Sequence, residues 1–231
     1  MKTTQPPVPF SFLAILLASL TLYSCNFPGN LKTKTGSKDS LNTNITQKSK
    51  PKDSIIEKLS GGMTLKVIPA TSIGRLQLKM EVDGSPVFKL LGRADSGDAA
   101  MCKSWSMWYW KDAAGTKKEF DMYAVCDPDV DMKKTIQILR VEGTDFLTRR
   151  GSSKSGGLKE LKVQYPDLSR LGEFSNPEGE TITLWDDIKA GIAFELPYPG
   201  TGKNISAVMV HQPGKKITET YLPFYSAVRK E

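Results

Sequence analysis

The sequence predicts an α+β domain built mainly on antiparallel β-sheet, with one or two short helices. One reason is a series of short apolar segments, rich in β-branched and aromatic residues and separated at close spacing by Gly, Pro and Asp turns. Another is that only one segment shows clear helical periodicity, with Leu158, Leu161 and Tyr165 on one face. The chain also contains no internal repeat. Antiparallel strands with few, separate helices are typical of the α+β class.

Two helices are expected. Residues 53–59 form a short helix whose apolar side is followed by the stop signal Gly61-Gly62. The second helix covers Leu158–Tyr165 and ends at Pro166, which cannot continue a helix.

The remaining periodic segments are predicted strands. Arg75–Val82 alternates strictly between apolar and polar residues, as a half-buried antiparallel strand does. Asp83-Gly84 is predicted to turn this strand into a hairpin with Pro86–Leu91. The other predicted strands are Met63–Ile68, Met101–Trp110, Lys118–Cys126, Thr135–Val141, Phe146–Arg149, Thr181–Trp185, Gly191–Leu196 and Ile205–Gln212.

The strands Met101–Trp110 and Lys118–Cys126 are predicted to form a hairpin with a defined register. Gly115 can take a positive φ, which suits the third position of a three-residue loop made of a type I turn and a bulge. This loop places Asp112 opposite Thr116.

The same register brings Cys102 directly opposite Cys126. Opposed residues in an antiparallel ladder have Cα atoms about 4.5–5.5 Å apart, which a disulfide accepts. The alternative is a four-residue loop, which would place Cys102 opposite Val125 and leave two buried free thiols. We predict the Cys102–Cys126 disulfide.

Four aromatic residues crowd the first strand of this hairpin. Side chains alternate along a strand, so Trp108 and Trp110 face one way while Trp105 and Tyr109 face the other. Trp108 shares its face with Phe120 and is predicted to face the main core. Trp105 and Tyr109 are then a candidate ligand platform, because exposed aromatic rings stack on sugar rings. The alternative is a second packed layer on that face.

Charge argues against one class of partner. The chain has 32 basic and 25 acidic residues, a net charge of +7. Most of the excess lies before residue 53, in Lys2 and in six lysines between Lys32 and Lys52, where Asp39 is the single acidic residue. The domain that follows is nearly neutral, so it offers no electrostatic case for binding nucleic acid.

Few residues suggest catalysis. The single histidine, His211, excludes a zinc site with two or more His ligands. Because it ends an apolar strand and no Gly-x-Ser-x-Gly elbow accompanies it, we interpret it as a buried, hydrogen-bonded structural residue. The segment Gly200–Asn204 lacks the leading glycine and the hydroxyl residue of a phosphate loop. Asp186 and Asp187 are the carboxylates that a hydrolase would use, although neighbours on a strand point in opposite directions.

Asp127, Asp129 and Asp131 alternate as in a calcium loop. Met132 and Ile138 stand where an EF-hand needs Gly and Glu, so a solvated acidic loop is the preferred interpretation. We assign no catalytic residue, no metal and no cofactor.

The N-terminus carries the strongest functional signal. Met1-Lys2 is followed by the largely apolar run Phe10–Tyr23, which is too short to span a bilayer and is typical of a secretory signal. The run ends in Leu22-Tyr23-Ser24-Cys25, which resembles the lipobox of bacterial lipoproteins, with Cys25 as the lipidated residue and Tyr23 in place of the usual small residue. The resemblance implies a signal peptide at 1–24. Residues 25–52 would then be a lipidated flexible tether, and 53–231 a single domain.

This resemblance also implies a location and a partner. A lipoprotein of this type would be anchored in the outer membrane through acylated Cys25, with the periplasmic face as the default. Part of the domain is similar to a unit found in uncharacterised exported bacterial proteins, on the residues Gly151-Ser152-Ser153, Leu158–Tyr165 and Gly191–Phe194. We expect an envelope lipoprotein with a binding or structural role toward a glycan or protein ligand. The alternative is a carboxylate-dependent hydrolase acting on envelope or polymer substrates.

Overall fold

The computed structural model describes residues 55–83, 86–143, 146–148, 151–152, 157–175, 179–202, 204–219 and 226–227. These residues belong to one compact unit of the chain, Lys48–Glu231. The predicted signal peptide, Cys25 and the tether lie outside the described residues. Within the described ranges, no helix is long and apolar enough to cross a membrane.

The described residues form two sheets and three short helices, which confirms the α+β class with a mainly antiparallel sheet and adds one helix to the expected number. The helices are α1 Ile55–Ser60, α2 Pro86–Leu91 and α3 Gly157–Gln164. The strands are β1 Leu65–Ile68, β2 Ser72–Ile73, β3 Leu76–Gln77, β4 Ser96–Ala100, β5 Lys103–Lys111, β6 Lys117–Asp127, β7 Lys133–Glu142, β8 Phe146–Thr148, β9 Gly151–Ser152, β10 Ser169–Ser175, β11 Thr181–Asp187, β12 Ile192–Pro197, β13 Ala207–His211 and β14 Ser226–Ala227. Single-turn 3-10 helices cover Pro128–Val130 and Ile217–Glu219.

Among the described residues, the larger sheet has nine strands in the order β14-β10-β11-β12-β13-β7-β6-β5-β4, and each strand is antiparallel to its neighbours. The smaller sheet has the order β3-β2-β1-β8-β9, in which β1 and β8 run parallel. Sequence neighbours pair along most of the larger sheet. The exceptions are β14 beside β10 and β7 beside β13, and the second of these pairs joins the two halves of the sheet.

Both faces of the larger sheet carry buried residues. On the first face, Trp108, Phe120 and Phe194 pack into the main core with apolar residues of the helices and of the smaller sheet, such as Leu59 and Val67. The second face carries a separate apolar cluster. Its members are Trp105, Met107, Tyr123, Ile138, Leu184, Ala193, Met209 and Ile217. The larger sheet therefore has buried apolar residues on both faces.

The predicted hairpin register is confirmed. Strand β5 pairs with β6 from Lys103 opposite Val125 to Lys111 opposite Lys117. The Asp112 amide donates to the Thr116 carbonyl at 3.0 Å, and Gly115 has φ +81°. A type I turn with a left-handed residue at its third position is the expected three-residue loop.

The predicted disulfide between Cys102 and Cys126 is present. The two Cα atoms are 4.9 Å apart, and the Cys126 amide donates to the Cys102 carbonyl at 2.8 Å. The bond therefore closes the open end of the hairpin just as the turn at Gly115 closes the other.

The prediction of a strand over Arg75–Val82 is wrong beyond Leu76–Gln77. The apolar residues of this segment are still directed inward, since Leu78 and Val82 are buried. Its amides bond to two different segments, at the carbonyl of Thr71 and at the carbonyls of Lys134 and Ile136 in β7. An irregular segment can therefore bury alternate residues as a strand does. The alternation of apolar and polar residues in the sequence does not distinguish the two.

The predicted strand Pro86–Leu91 is the helix α2. Proline suits the first turn of a helix because its missing N–H has no helical partner there. Val87 and Leu91, four residues apart, are the buried pair. The segment has only six residues, so its sequence fits both a short helix and the second strand of a hairpin turned at Asp83-Gly84. Packing of Val87 and Leu91 in the core favoured the helix.

Removing the disulfide should lower the free energy of unfolding. For a loop of this length the chain-entropy model gives about 3 kcal/mol, because the cross-link restricts the unfolded chain. We expect Cys102→Ser/Cys126→Ser to lose about this amount in urea denaturation, with the hairpin otherwise intact.

Reduced wild-type protein is the matched control, and its unfolding midpoint should coincide with that of the double variant. Free thiols at both positions in protein purified without reductant would contradict the assignment.

Candidate functional site

A buried guanidinium is the centre of the most strongly charged site among the described residues. Arg140 of β7 is 4% exposed and lies on the second face of the larger sheet. Its Nε donates to Glu195 Oε1 at 2.7 Å and one terminal nitrogen donates to Glu195 Oε2 at 3.0 Å. This is the bidentate geometry in which Arg binds a carboxylate most strongly. Glu195 is 1% exposed.

Three further carboxylates surround the same guanidinium. Asp121 Oδ2 accepts from Arg140 at 2.7 Å, and Glu142 Oε1 accepts at 2.9 Å. Glu119 Oε1 accepts a longer bond of 3.4 Å. One cation thus faces four carboxyl groups, which we call the Arg140 cluster.

Strand register brings the cluster together. Glu195 of β12 lies opposite Ala207 of β13, and Ala207 lies opposite Glu142 of β7. Because Ala207 has no side chain beyond Cβ, Arg140 can extend over β13 and reach Glu195 on the strand beyond. Asp121 lies directly opposite Arg140 on the other side, in β6.

Burial sets the protonation behaviour of the cluster. The pKa of Asp121 is raised well above its ordinary value, mainly because burial disfavours the carboxylate and outweighs the attraction of Arg140. The pKa of Glu142 is also raised, again chiefly by burial and against the effect of Arg140. Protonation therefore relieves the excess of negative charge around the single guanidinium.

Four members of the Arg140 cluster, Arg140, Glu119, Glu142 and Glu195, line part of an open cleft of about 1020 Å³. The cleft lies at the end of the sheet where β5 and β6 are joined. Its wall includes the half-buried indole of Trp110 and the polar groups of Lys118, Glu142, Asn204 and Ser206. An aromatic ring beside several hydrogen-bonding groups is a combination suited to polar ligands with one apolar face.

The predicted platform of Trp105 and Tyr109 is not an open surface, and this expectation is corrected. Trp105 is 2% exposed and packs on Tyr123, with ring centroids 5.4 Å apart. The ammonium of Lys117 lies over the Tyr109 ring, 3.7 Å from its centroid. The second packed layer, considered as the alternative, covers Trp105 because the face opposite the main core is itself buried.

Trp108 faces the main core as predicted. It is 1% exposed, its ring centroid is 5.9 Å from that of Phe120, and its indole N–H donates to the Gly92 carbonyl. The aromatic residue of this strand that reaches the cleft is Trp110, which the alternation argument had grouped with the core residues.

His211 is a buried, hydrogen-bonded residue, as interpreted from the sequence. Its Nε2 lies 2.9 Å from Asp186 Oδ1, and its Nδ1 lies 2.9 Å from the Gln212 carbonyl. The other oxygen of Asp186 accepts the Ile217 amide at 2.9 Å.

The two candidate hydrolase carboxylates do not converge. Asp186 is committed to His211 and to the Ile217 amide, whereas Asp187 accepts the Ala190 amide at 2.9 Å in the β11–β12 turn. Adjacent strand residues point to opposite faces, as the sequence argument required.

Asp127 acts as a cap in the acidic loop. Its Oδ1 accepts the Asp129 amide at 3.0 Å and its Oδ2 accepts the Thr135 hydroxyl. The hydrogen bond from Asp129 is the main reason that the pKa of Asp127 is lowered. Among the residues that the structure describes, no group of three or more His, Cys, Asp or Glu side chains is arranged to hold a metal ion.

The Arg140 cluster was missed by sequence reasoning, although a signal existed. Charged residues recur at every second position inside apolar strands, as Glu119 and Asp121 in β6 and as Arg140 and Glu142 in β7. Two opposed strands with this pattern indicate a buried polar network on one face.

Comparison with protein-family models, curated proteins and solved structures finds no match for this chain. The site is therefore interpreted from its own geometry.

Replacing Asp121 should change how stability depends on pH. Its pKa is raised in the folded protein above the ordinary 3.8, so the folded state binds this proton more tightly than the unfolded chain does. The resulting stabilisation is complete below the unfolded pKa and is lost as pH rises through the folded value. Asp121→Asn removes the titration but keeps an acceptor for Arg140.

We therefore expect the variant to lose less stability than wild type as the pH rises above the ordinary pKa of 3.8, measured by urea denaturation. Asp98→Asn, on the exposed strand β4, is the control and should follow the wild-type profile. Parallel profiles for wild type and Asp121→Asn would contradict the assignment.

Proposed function

We propose that this protein is a bacterial envelope lipoprotein, anchored by Cys25 in the outer membrane on its periplasmic face, whose domain binds a ligand rather than catalysing a reaction. The observation that carries the proposal is the use of cysteine. The chain has three cysteines, and the disulfide takes Cys102 and Cys126. Disulfides persist in exported proteins. Lipidation would give a role to the third cysteine, Cys25, which ends the lipobox-like segment Leu22-Tyr23-Ser24-Cys25.

The ligand that the cleft favours is a saccharide chain. Trp110 offers a ring face for stacking, and the neighbouring carboxylate, ammonium, amide and hydroxyl groups offer donors and acceptors for sugar hydroxyls. A cleft of about 1020 Å³ accommodates several sugar units rather than one small metabolite. A glycan of the cell envelope is the source closest to an anchored protein.

A second candidate is a hydrolase that uses a carboxyl group of the same cleft. The observation that favours it is Glu142, which lines the cleft and has a raised pKa, as a general acid requires. Asp186 and Asp187 do not support this candidate because neither lines the cleft.

Lipidation of Cys25 is tested by metabolic labelling with palmitate. Cys25→Ala should abolish labelling and cause the unprocessed precursor to accumulate, since the cysteine sulfur receives the lipid. The double variant Cys102→Ser/Cys126→Ser should remain labelled, because its cysteines lie in the domain. Label that persists in Cys25→Ala would overturn the anchor.

The cleft is tested with the full chain in neutral detergent against peptidoglycan fragments and a panel of envelope oligosaccharides. Trp110→Ala should weaken binding about tenfold, the equivalent of about 1.4 kcal/mol for a lost stacking contact. Tyr198→Ala is the matched control, because Tyr198 is an exposed aromatic residue that does not line the cleft. Equal affinities in the two variants would contradict saccharide binding in the cleft.

The same preparations distinguish the second candidate. Time-dependent release of shortened products, lost in Glu142→Gln, would indicate hydrolysis. Binding without product release supports the binding role.

A further inference from the structure

A second concave site lies at the other end of the β5–β6 hairpin, beside the disulfide. It is a pocket of about 340 Å³ whose lining includes residues of β5, β6, β7 and β13 and of two connecting segments. Tyr123 and His211, both buried, belong to its inner wall. We call it the basic pocket, because lysine is its most frequent residue.

Three lysines from distant parts of the chain meet at this pocket. Lys79 follows β3, Lys103 begins β5, and Lys215 follows β13, and all three line it. Asp127 is the carboxylate of the lining. The other aspartates of its loop, Asp129 and Asp131, do not line the pocket.

Asp127 already has several partners. Beyond the Asp129 amide and the Thr135 hydroxyl, its Oδ2 lies 3.6 Å from the ammonium of Lys79. One carboxylate shared in this way cannot balance the ammonium groups of both Lys79 and Lys215. The pocket therefore keeps an excess of positive charge.

The backbone at Lys79 is strained, with φ +66° at a residue that is not glycine. Its amide nevertheless donates to the Ile136 carbonyl at 2.8 Å, which anchors the residue against β7. A left-handed conformation at such a residue is strained and is maintained only where the surroundings impose it. Here it directs a cationic side chain to the rim of the pocket.

Fixed amides complete the lining. Gln212 donates through Nε2 to Gln137 Oε1, and Gln137 donates through its own Nε2 to the Thr135 hydroxyl at 2.8 Å. This chain orients both side chains and leaves Gln212 a second amide N–H. The pocket thus combines positive charge with an oriented neutral donor.

We propose that the basic pocket binds the phosphate group of a small phosphate monoester. Lysine ammonium groups are compact point charges that suit a multiply charged oxyanion. The volume of about 340 Å³ holds a phosphate with a small organic group, and the concave shape is unlike the extended basic face that nucleic acid requires. This proposal is independent of the saccharide proposal, because the two sites share no lining residue.

The test is calorimetric titration of the full chain in neutral detergent, at constant ionic strength, with glycerol 3-phosphate, inorganic phosphate and acetate. Both phosphates should bind more tightly than acetate. Lys79→Gln and Lys215→Gln should each weaken phosphate binding about tenfold, the effect of losing one charge-assisted hydrogen bond. Lys159→Gln, an exposed lysine of α3 outside the pocket, should bind as wild type does.

A further titration with short-chain phosphatidic acid in the same detergent distinguishes two sources of the phosphate. Tighter binding than glycerol 3-phosphate assigns the site to a lipid headgroup, and equal or weaker binding assigns it to a soluble ester. Acetate binding as tight as phosphate, or an equal loss in Lys159→Gln and the pocket variants, would overturn the proposal. The pocket lysines are exposed, so their Gln variants should fold, and retention of the disulfide checks this.

Discussion

The guanidinium of Arg140 holds together strands that are not all neighbours. It binds Asp121 on β6 and, across β13, Glu195 on β12, while it belongs to β7 itself. A buried ion pair often contributes little net stability compared with apolar residues of the same volume. The cluster instead fixes the register in which these strands pair. A slip by one residue in any of these strands would turn a buried charged side chain toward the apolar core. The shifted strand would then lose stability, because the charge would have no partner there.

The Arg140 cluster shows how the second face of the sheet can be buried and still carry charged residues. Next to the Arg140 cluster, Trp105 and Tyr123 form an apolar layer, and beyond them His211 pairs with Asp186. Apolar and charged groups thus alternate across one face. The raised pKa of Asp121 and Glu142 follows from the same arrangement, because carboxyl groups share one cation in a place that water reaches poorly.

The β5–β6 hairpin connects the two candidate sites. Its turn at Gly115 lies beside the cleft, and its disulfide lies beside the basic pocket. The lining of the first site includes the Trp110 ring and carboxylates of the Arg140 cluster, and the second site presents ammonium groups around a carboxylate that already has partners. A lipid anchor at Cys25 would bring both sites to the surface of a membrane.

The sequence by itself determined the local features of this protein. The hairpin register followed from the three-residue loop at Gly115, and the Cys102–Cys126 disulfide followed from that register, because turn geometry and strand pairing act over a few residues. The helix at residues 157–164 and the burial of Trp108 followed from periodicity for the same reason. The lipobox-like segment is also a local signal, and it stays a prediction.

Tertiary structure decided what depends on partners distant in the chain. Periodicity showed that Leu78 and Val82 point inward, but only packing decided that their amides bond to other segments instead of forming a strand. The helix α2 was chosen over a strand because its two buried residues contact the main core. Trp105 is not part of an open ligand platform, because it is buried in the second apolar cluster. The Arg140 cluster and the basic pocket combine residues from distant segments, and proximity between such segments is a property of the folded sheet that no local pattern encodes.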